Sequence, residues 1–469
     1  MASPDPNPNA YRGKKVVVLG LGRSGLAAAR LLKRSDAEVT VCDSGESAIL
    51  RERSELLGRE GIRVMIGSEA ANDPAMYDLA VLSPGIEETA PLVSNVLRKG
   101  IPLIGELELA FTLCACPVIA ITGTNGKTTT TELTTLMLRG AGLRAASCGN
   151  IGTPISELLD GRSAWDVLVV EVSSFQLETI RTFRPKVALW LNLSPNHLDR
   201  YPSMREYRDA KLRIFENQSE EDWVVIPSST EDFSATGLRA RRLTFSTTDK
   251  QADLSLHDGS RIRRGKETLI DLTETKLRGP HNAANVMAAL AAGIAMGADT
   301  RKMVNAIRDY TPPPHRCELI AERDGVRWIN DSKATTLDAM EQAIRSVQGS
   351  LILIAGGKDK GFEFSPIASL VRERVGLAIL IGEMRHRIAR DWAPVRCLAV
   401  DGLNEAVQSA RDEAAPGTTV LFSPGTSSFD MFRDYVERGE SFRRLVTESK
   451  VAGAGSFPLE VPSTTPRKN

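Results

Sequence analysis

The sequence predicts an α/β protein of three domains, each built on a mostly parallel sheet flanked by helices. Apolar runs typical of buried strands recur along the chain, and helical patterns separate them. Two of these runs, residues 15–19 and 117–121, end in glycine-rich turns that lead into helices. Because alternating strands and helices form parallel sheets, we expect Rossmann-like first and third domains around a central domain of the P-loop type.

The first domain is predicted to begin with the strand at 15–19. A glycine turn follows this strand, and an Ala- and Leu-rich helix then extends to about Arg34. The next strand is predicted at 38–42, and further strands are predicted at 79–83 and 102–104. The strand–helix–strand order at the start indicates a parallel sheet.

The central domain is predicted to begin near Glu108, before the second glycine turn. A helix should follow that turn, from Lys127 to about Arg139, and an alanine-rich helix should cover 283–295. The remaining segments of this domain are buried strands at 167–172 and 186–192, and a more polar stretch of short strands and turns at about 231–278.

Three consecutive prolines mark the clearest boundary between domains. Pro312, Pro313 and Pro314 cannot continue a helix and favour extended backbone. We therefore predict domains at residues 1–107, 108–311 and 312–469. Strands of the third domain are expected at 326–329, 350–355, 377–381 and 418–422.

Composition indicates a globular protein that has no overall attraction for anions. Lys plus Arg equals Asp plus Glu, at 59 each, so the formal net charge is zero and any anionic ligand needs a local site. We expect neither nucleic-acid binding nor membrane insertion, because no run of about 18 apolar residues occurs. The polar N-terminus does not resemble a signal peptide, and the six cysteines match no zinc pattern. These features predict a cytoplasmic protein.

The first glycine turn has the pattern of a diphosphate site. Gly20-Leu21-Gly22-Arg23-Ser24-Gly25 lies between a strand and a helix, and Asp43 ends the next strand. Glycines let the backbone approach a diphosphate, and the helix N-terminus favours its charge. Taken alone, the pattern is also that of a nicotinamide enzyme, or of a tight turn that binds no ligand.

The second glycine turn resembles a loop that binds ATP. Gly123-Thr124-Asn125-Gly126-Lys127-Thr128-Thr129 keeps the Gly-Lys-Thr at the start of a helix, although Ile121 replaces the first glycine of the full pattern. Its N–H groups can hold phosphate oxygens, Lys127 can reach the β- and γ-phosphates, and Thr128 can bind Mg²⁺. Two phosphate sites suggest that ATP acts on a substrate that carries a diphosphate.

The motifs of this chain resemble those of the Mur ligases over nearly its whole length. The resemblance is closest to the branch that adds D-glutamate, on Gly20–Gly25 with Ser83-Pro84-Gly85-Ile86 and on residues 423–432. The other matching motifs are the ATP loop and residues 171–177, 192–199, 207–211, 279–285, 315–318 and 330–335.

The resemblance implies an ATP-dependent amide ligase of peptidoglycan precursor synthesis. Its expected substrates are UDP-N-acetylmuramoyl-L-alanine and D-glutamate, and it is expected to work as a monomer. The substrate carboxylate attacks the γ-phosphate to give an acyl phosphate, the amine of D-glutamate attacks that carbonyl, and ADP and phosphate are released. The cofactors implied are ATP and Mg²⁺, with two metal ions.

The resemblance also implies the residues that perform catalysis and bind the metal. Glu171 ends an apolar strand, where a carboxylate is costly to bury without a cation. The lysine that matches Lys211 is carbamylated by CO₂ in the family, which turns a cation into an anionic ligand. The implied catalytic residues are Lys127, Glu171, His197, Lys211 and Arg316, and the implied metal ligands are Thr128, Glu171, His197 and Lys211.

The remaining candidates bind the three substrates. For ATP they are Gly123, Thr124, Asn125, Gly126, Lys127, Thr128, Thr129, Asn150, Asn282, Asn285, Arg316, Asp331 and Lys333. For the UDP substrate they are Gly22, Arg23, Ser24, Asp43, Ser44 and Gly85. For D-glutamate they are Thr335, Lys360, Ser428, Phe429 and Tyr435, with Lys358 as the alternative to Lys360.

Three other functions remain open at this point. The first is a related ligase with a different acceptor amino acid. The second is a nicotinamide-linked oxidoreductase, which the second glycine turn and the Glu171, His197 and Lys211 set disfavour. The third is a binding module without catalysis.

Overall fold

Three mostly parallel sheets flanked by helices make up the computed structural model, which confirms the predicted fold class. The structure describes residues 7–448 except 72–74, 85, 87–89, 151, 160, 162–163, 197–199, 230–236, 278, 312–313, 348 and 361–362. Within those ranges, no helix is long and apolar enough to cross a membrane.

The first sheet has five parallel strands in the order β3-β2-β1-β4-β5. The central position of β1 buries four of its five residues, as its apolar sequence predicts. The elements are β1 (Lys15–Leu19), α1 (Arg23–Arg34), β2 (Glu38–Asp43), α2 (Ala48–Arg59), β3 (Arg63–Ile66), α3 (Ser68–Ala71), β4 (Leu79–Leu82), α4 (Pro91–Arg98), β5 (Leu103–Gly105) and α5 (Glu106–Leu113).

The central sheet has nine strands in the order β14-β13-β12-β11-β10-β9-β6-β8-β7. Strands β12 to β14 pair antiparallel and account for the polar stretch near 231–278, whereas the other pairs are parallel. The elements are β6 (Val118–Thr122), α6 (Lys127–Gly140), β7 (Ala145–Gly149), α7 (Ile155–Leu158), β8 (Val167–Glu171), α8 (Ser174–Glu178), β9 (Val187–Trp190), α9 (Met204–Leu212), β10 (Trp223–Pro227), β11 (Arg241–Ser246), β12 (Leu254–His257), β13 (Arg261–Arg264), β14 (Glu267–Asp271), α10 (Gly279–Ala295) and α11 (Thr300–Ala306).

Helix α5 joins the first two sheets through buried carboxylates. Glu108 accepts hydrogen bonds from the backbone N–H groups of Arg181, Thr182 and Phe183 at 2.9, 2.7 and 3.0 Å. Glu106 accepts one from the N–H of Ser156 at 2.8 Å, and burial raises its pKa. A buried carboxylate needs such donors. Residues 1–313 accordingly form one compact unit.

Residues 314–469 form the second compact unit. Its six-stranded sheet has the order β15-β16-β20-β17-β18-β19, and all pairs are parallel except β15 with β16. The elements are β15 (Glu318–Arg323), β16 (Val326–Asn330), α12 (Leu337–Ser346), β17 (Leu351–Gly356), α13 (Ala368–Arg374), β18 (Leu377–Ile381), α14 (Arg385–Asp391), β19 (Cys397–Ala399), α15 (Leu403–Glu413), β20 (Thr419–Phe422) and α16 (Tyr435–Thr447). The exact limits of the three domains stay predictions.

Candidate active site

The second glycine turn, called here the nucleotide loop (residues 123–128), connects the end of β6 to the start of α6. Gly123 and Gly126 have φ angles of +150° and +81°, which L side chains rarely adopt. A Cβ atom on Gly126 would lie 2.4 Å from Oδ1 of Asn285. Glycine therefore lets α10 approach the loop closely.

We expect Gly126→Ala to weaken ATP binding by about tenfold or more. Left-handed backbone costs an L-residue roughly 1–2 kcal/mol, and the new methyl group must also displace Asn285. Isothermal titration with ATP measures the effect. Gly142→Ala is the matched control, because Gly142 has a φ of +96° at the other end of α6 but has open space around its Cβ position. Equal affinities in the two variants would contradict the steric argument.

Asn192 fixes the shape of the nucleotide loop. Its side-chain Oδ1 accepts the N–H of Asn125 at 2.8 Å, and its Nδ2 donates to the carbonyl of Asn125 at 3.1 Å. Thr124 donates its N–H to the carbonyl of Asn192 at 3.1 Å and accepts the N–H of Ser194 on its hydroxyl at 3.1 Å. These hydrogen bonds stabilise the present conformation of the loop. Asn192 was not among the residues predicted from the sequence, although it begins one of the quoted motifs.

Two lysine amines converge on one carbonyl of the loop. Nζ of Lys127 donates to the carbonyl oxygens of Gly123 and Thr124, both at 2.9 Å. Nζ of Lys211 donates to the same Gly123 oxygen at 3.1 Å, so α9 is held against the nucleotide loop. The structure thus brings together the predicted phosphate lysine and the predicted carbamylation site.

The environment of Lys211 favours its neutral amine. The side chain is only 2% exposed, and burial lowers its pKa well below the usual range. The charge of Lys127 lowers the pKa further, whereas Glu171 acts in the opposite direction. Tyr207, which our sequence analysis also missed, places its ring 4.7 Å from Nζ of Lys211 and its hydroxyl 3.3 Å from that of Thr124.

Glu171 joins the nucleotide loop to the end of β7. It is 2% exposed, and its two carboxylate oxygens accept hydrogen bonds from the Thr128 hydroxyl at 2.8 Å and from Nδ2 of Asn150 at 3.1 Å. The strand order explains the contact, because β6 and β8 are parallel neighbours and both end at this edge of the sheet. Thr128 and Asn150, both predicted site residues, are therefore bonded to the same predicted carboxylate.

Two of the four predicted metal ligands, Glu171 and Thr128, have the chemistry that Mg²⁺ prefers. The carboxylate of Glu171 and the hydroxyl of Thr128 are hard oxygen ligands of the kind that Mg²⁺ prefers. Lys211 as a free amine would not bind the ion, whereas a carbamate would. His197 lies outside the described residues. Within the part of the chain that the structure describes, no cluster of three His, Cys, Asp or Glu side chains could hold a metal ion.

Helix α10 brings two of the predicted ATP-binding residues, Asn282 and Asn285, to the loop. Asn285 is buried, and its Oδ1 accepts a hydrogen bond from the hydroxyl of Thr130 at 3.2 Å. Asn282 lies one turn earlier on the same helix and is half-buried. Thr129 is buried in the first turn of α6. The nucleotide loop therefore faces the N-terminal end of α10.

The two ends of the first glycine turn pack closely against each other. A Cβ atom on Gly25 would lie 1.8 Å from the carbonyl oxygen of Gly20. Asp43 accepts the N–H groups of Leu21 at 2.7 Å and Gly45 at 2.8 Å, so its carboxylate holds the turn against the end of β2. Gly22, Ser24 and Ser44 lie around this turn, and Gly85 lies outside the described residues.

Arg23 bonds to the central domain in this structure. Its Nε and Nη2 donate to the two carboxylate oxygens of Glu157, both at 3.0 Å, and its Nη1 donates to the carbonyl of Gly152 at 2.9 Å. Both partners of the ion pair are about half exposed. A diphosphate would therefore compete with Glu157 for this side chain, and the predicted diphosphate contact stays a prediction.

A narrow, partly open cleft lies at the junction of the first two domains. Arg200 stacks over the ring of Phe175 at 4.1 Å and donates to Glu178 at 2.7 Å. We did not predict these residues from the sequence. The lining consists of Leu82, Pro84, Ile86, Gly105, Glu106, Leu107, Phe175, Gln176, Glu178, Thr179 and Arg200.

In the second unit, Asp331 anchors the segment that follows the prolines. Its oxygens accept the hydroxyl of Ser423 at 2.8 Å and the N–H of Cys317 at 3.1 Å. Burial raises the pKa of Asp331 to about 7. Arg316, a predicted catalytic and ATP-binding residue, is half-buried beside Cys317. Asp331 therefore fixes the backbone next to Arg316.

Two of the predicted D-glutamate residues, Tyr435 and Thr335, each contact a lysine. Nζ of Lys333 donates to the hydroxyl of Tyr435 at 2.8 Å and lies 4.2 Å from the centre of its ring. Nζ of Lys360 donates to the carbonyl of Thr335 at 3.4 Å, whereas the side chain of Lys358 is exposed. The choice of Lys360 over Lys358 stays a prediction. Ser428 is buried and Phe429 is 66% exposed.

Arg438 is fully buried and connects two of these segments. It donates to the carbonyl and hydroxyl oxygens of Ser332 at 2.8 and 3.0 Å and to the carbonyl of Thr426 at 3.2 Å. Burial lowers its pKa to about 10. The sequence offered no signal for this role, because the arginine lies in a helix that is otherwise rich in charged residues.

Three family models match the chain in order. The Mur ligase MurD-like N-terminal domain matches residues 14–105, the Mur ligase middle domain matches 121–293, and the Mur ligase glutamate ligase domain matches 315–425. Together they cover most of the chain and include both glycine turns.

Curated relatives match along almost their whole length. UDP-N-acetylmuramoylalanine--D-glutamate ligase from Geobacter metallireducens is 42% identical over 455 residues, covering 95% of this chain and 99% of that protein. The protein of the same name from Pelotomaculum thermopropionicum is 39% identical, covering 94% and 99%.

Solved structures share the fold at much lower identity. A pseudomurein peptide ligase type C from Methanothermus fervidus aligns with a TM-score of 0.59 at 20% identity, covering 92% of this chain and 99% of that one. UDP-N-acetylmuramate-alanine ligase from Thermotoga maritima aligns with a TM-score of 0.58 at 19% identity, covering 92% and 98%. With the three family models and the full-length relatives, these matches show that the chain belongs to the Mur ligase family.

Proposed function

We propose that this chain is an ATP-dependent ligase that adds D-glutamate to UDP-N-acetylmuramoyl-L-alanine in peptidoglycan precursor synthesis. Full-length relatives of that name at 42% identity support the activity and both substrates. The observation that carries the chemistry is the nucleotide loop with Lys127, Lys211 and Glu171 around it. The nicotinamide-linked alternative has no support, because the family is one of ligases.

In the first step, the substrate carboxylate attacks the γ-phosphate of ATP and an acyl phosphate forms. Phosphoryl transfer depends on positioning and on neutralising phosphate charge. The N–H groups of the nucleotide loop bind the phosphates, and Lys127 exchanges its two carbonyl partners for phosphate oxygens. Thr128 and Glu171 would hold one Mg²⁺, and His197 with a carbamylated Lys211 would contribute to a second. The bound ions would supply positive charge next to the phosphates.

Carbamylation of Lys211 is supported by its surroundings. A neutral amine attacks CO₂, a C–N bond forms, and loss of a proton leaves an anionic carbamate. Burial of the lysine and the neighbouring charge of Lys127 both favour the neutral amine that this reaction needs. The carbamate would also place a negative charge close to the positive charge of Lys127.

In the second step, the amine of D-glutamate attacks the acyl phosphate and phosphate leaves. Thr335, Lys360, Ser428, Phe429 and Tyr435 are the proposed acceptor site. Lys360 and the hydroxyl donors suit a dicarboxylic amino acid.

An acceptor screen tests this function. We expect release of phosphate from ATP to require both UDP-N-acetylmuramoyl-L-alanine and D-glutamate, because the acyl phosphate forms on the carboxylate of the first and releases its phosphate when the amine of the second attacks. L-Glutamate, L-lysine and diaminopimelate serve as alternative acceptors in the same assay. Preference for one of these would identify a related ligase instead. Phosphate release without either substrate would contradict both proposals.

The cellular setting follows from the substrates. UDP-linked precursors are made in the cytoplasm, so we place the enzyme there as a monomer that acts on small molecules. Its product would feed cell-wall synthesis, and loss of the activity would affect cell shape and division.

A further inference from the structure

Two cysteine side chains meet at the junction between α5 and β6. Cys114 and Cys116 have their sulfur atoms 3.6 Å apart, and Sγ of Cys114 also donates to the carbonyl of Cys116 at 3.4 Å. Cys114 is 2% exposed and Cys116 is half-buried, and both are free thiols. The proposed ligase reaction uses neither sulfur.

We propose that Cys114 and Cys116 form a peroxide-sensitive pair that hydrogen peroxide converts to an intrachain disulfide. The Cys114 thiolate attacks one peroxide oxygen, the O–O bond breaks, and hydroxide leaves, so that a sulfenic acid forms. The Cys116 thiolate then attacks the Cys114 sulfur, an S–S bond forms, and the S–O bond breaks with loss of a second hydroxide. With the two thiol protons, the products are one disulfide and two waters.

The environment of each sulfur supports this order of events. The hydrogen bond from the Cys116 thiol lowers the pKa of Cys114, which favours its reactive thiolate. The hydrogen bond to Cys114, burial and the negative charge of Cys114 raise the pKa of Cys116, in that order of importance. Once Cys114 is a neutral sulfenic acid, its thiolate no longer accepts the Cys116 proton and its charge is gone, so the pKa of Cys116 falls and its attack is favoured.

The geometry requires only a small movement. A disulfide has an S–S distance of about 2.05 Å, so the sulfur atoms must approach by roughly 1.5 Å. Residues 114–117 lie between α5 and β6 and belong to neither element, so the ladder of β6 can stay intact. Because Cys114 is almost fully buried, a molecule as small as hydrogen peroxide should reach it faster than glutathione disulfide does.

The position of the pair gives oxidation a structural consequence. Cys114 directly follows α5, which Glu106 and Glu108 fix to the central domain. Cys116 lies two residues before the start of β6, which leads into the nucleotide loop. The disulfide would therefore restrain the chain that connects the first sheet to the nucleotide loop.

The test uses the reduced full-length chain treated with hydrogen peroxide, followed by intact mass and peptide mapping. We expect a loss of about 2 Da in the peptide that contains both cysteines, reversed by dithiothreitol. Cys397→Ser, which alters a half-buried thiol of the second unit, should behave in the same way. Cys116→Ser should lack the 2 Da loss and instead gain oxygen at Cys114.

Three results would overturn the proposal. The first is oxidation of Cys397 while both thiols of the pair stay reduced. The second is a disulfide between Cys114 and a different cysteine, such as Cys148. The third is faster oxidation of the pair by glutathione disulfide than by peroxide. Mapping of the wild-type chain decides the first two even if Cys116→Ser does not fold, and none of these results depends on ligase activity.

Discussion

Replacement of Lys211 by alanine is expected to lower the rate of amide formation by about three powers of ten. The substitution removes the amine that would carry the carbamate, and with it an anionic ligand beside the phosphate site. Charge stabilisation by a bound metal is worth several kcal/mol, and each 1.36 kcal/mol corresponds to a factor of ten. Alanine also empties a buried position between Tyr207 and the Gly123 carbonyl.

Chemical rescue separates these two effects of the substitution. Short carboxylates such as acetate or formate can enter the space that the side chain leaves and replace the missing anion, so we expect partial recovery of phosphate release. A gap that only loosened the packing would not respond to carboxylates. Lys302→Ala, at an exposed position of α11, should keep wild-type turnover. If Lys211→Ala turned over at close to the wild-type rate, the proposed catalytic role of this lysine would be wrong.

The fold was predictable because its main elements have simple sequence patterns. Strands such as β1 and β6 lie inside parallel sheets, where both faces are buried, so they are apolar at nearly every position. Helix α5 was harder to interpret. Its Glu106 and Glu108 resemble surface residues, yet both are buried because backbone N–H groups distant in the sequence, such as those of Ser156 and Thr182, bond to them.

Candidate site residues could be named from the sequence where the backbone conformation or the charge at a position allows only one type of residue. Gly126 permits a positive φ angle, and Glu171 ends a strand beside the nucleotide loop. The supporting residues were missed, since Asn192 and Arg438 act by bonding backbone atoms that only the fold brings close. Arg23 illustrates the opposite case, because its pattern indicated a phosphate whereas its present partner is Glu157.

Glu171→Gln is expected to reduce turnover by about 100-fold or more while leaving the protein at least as stable as the wild type. Glutamine has the same shape, and it can still accept from Asn150 through its oxygen and donate to the hydroxyl of Thr128 through its nitrogen. The variant loses the negative charge that would hold Mg²⁺. Without metal, burial of an uncharged amide costs less than burial of a carboxylate.

Activity should therefore fall while stability stays the same or rises. If Glu171 had a merely structural role, its replacement would lower both. We expect the Mg²⁺ concentration for half-maximal phosphate release to rise, and the melting temperature without metal to stay within about 3 °C of the wild-type value or to exceed it. Glu216→Gln is the matched control, because Glu216 pairs with Arg213 at 2.9 Å and lies outside the proposed site. It should change neither quantity. If Glu171→Gln turned over like the wild type at low Mg²⁺, the carboxylate would have no part in holding the ion, and Glu171 would serve only to join Thr128 to Asn150.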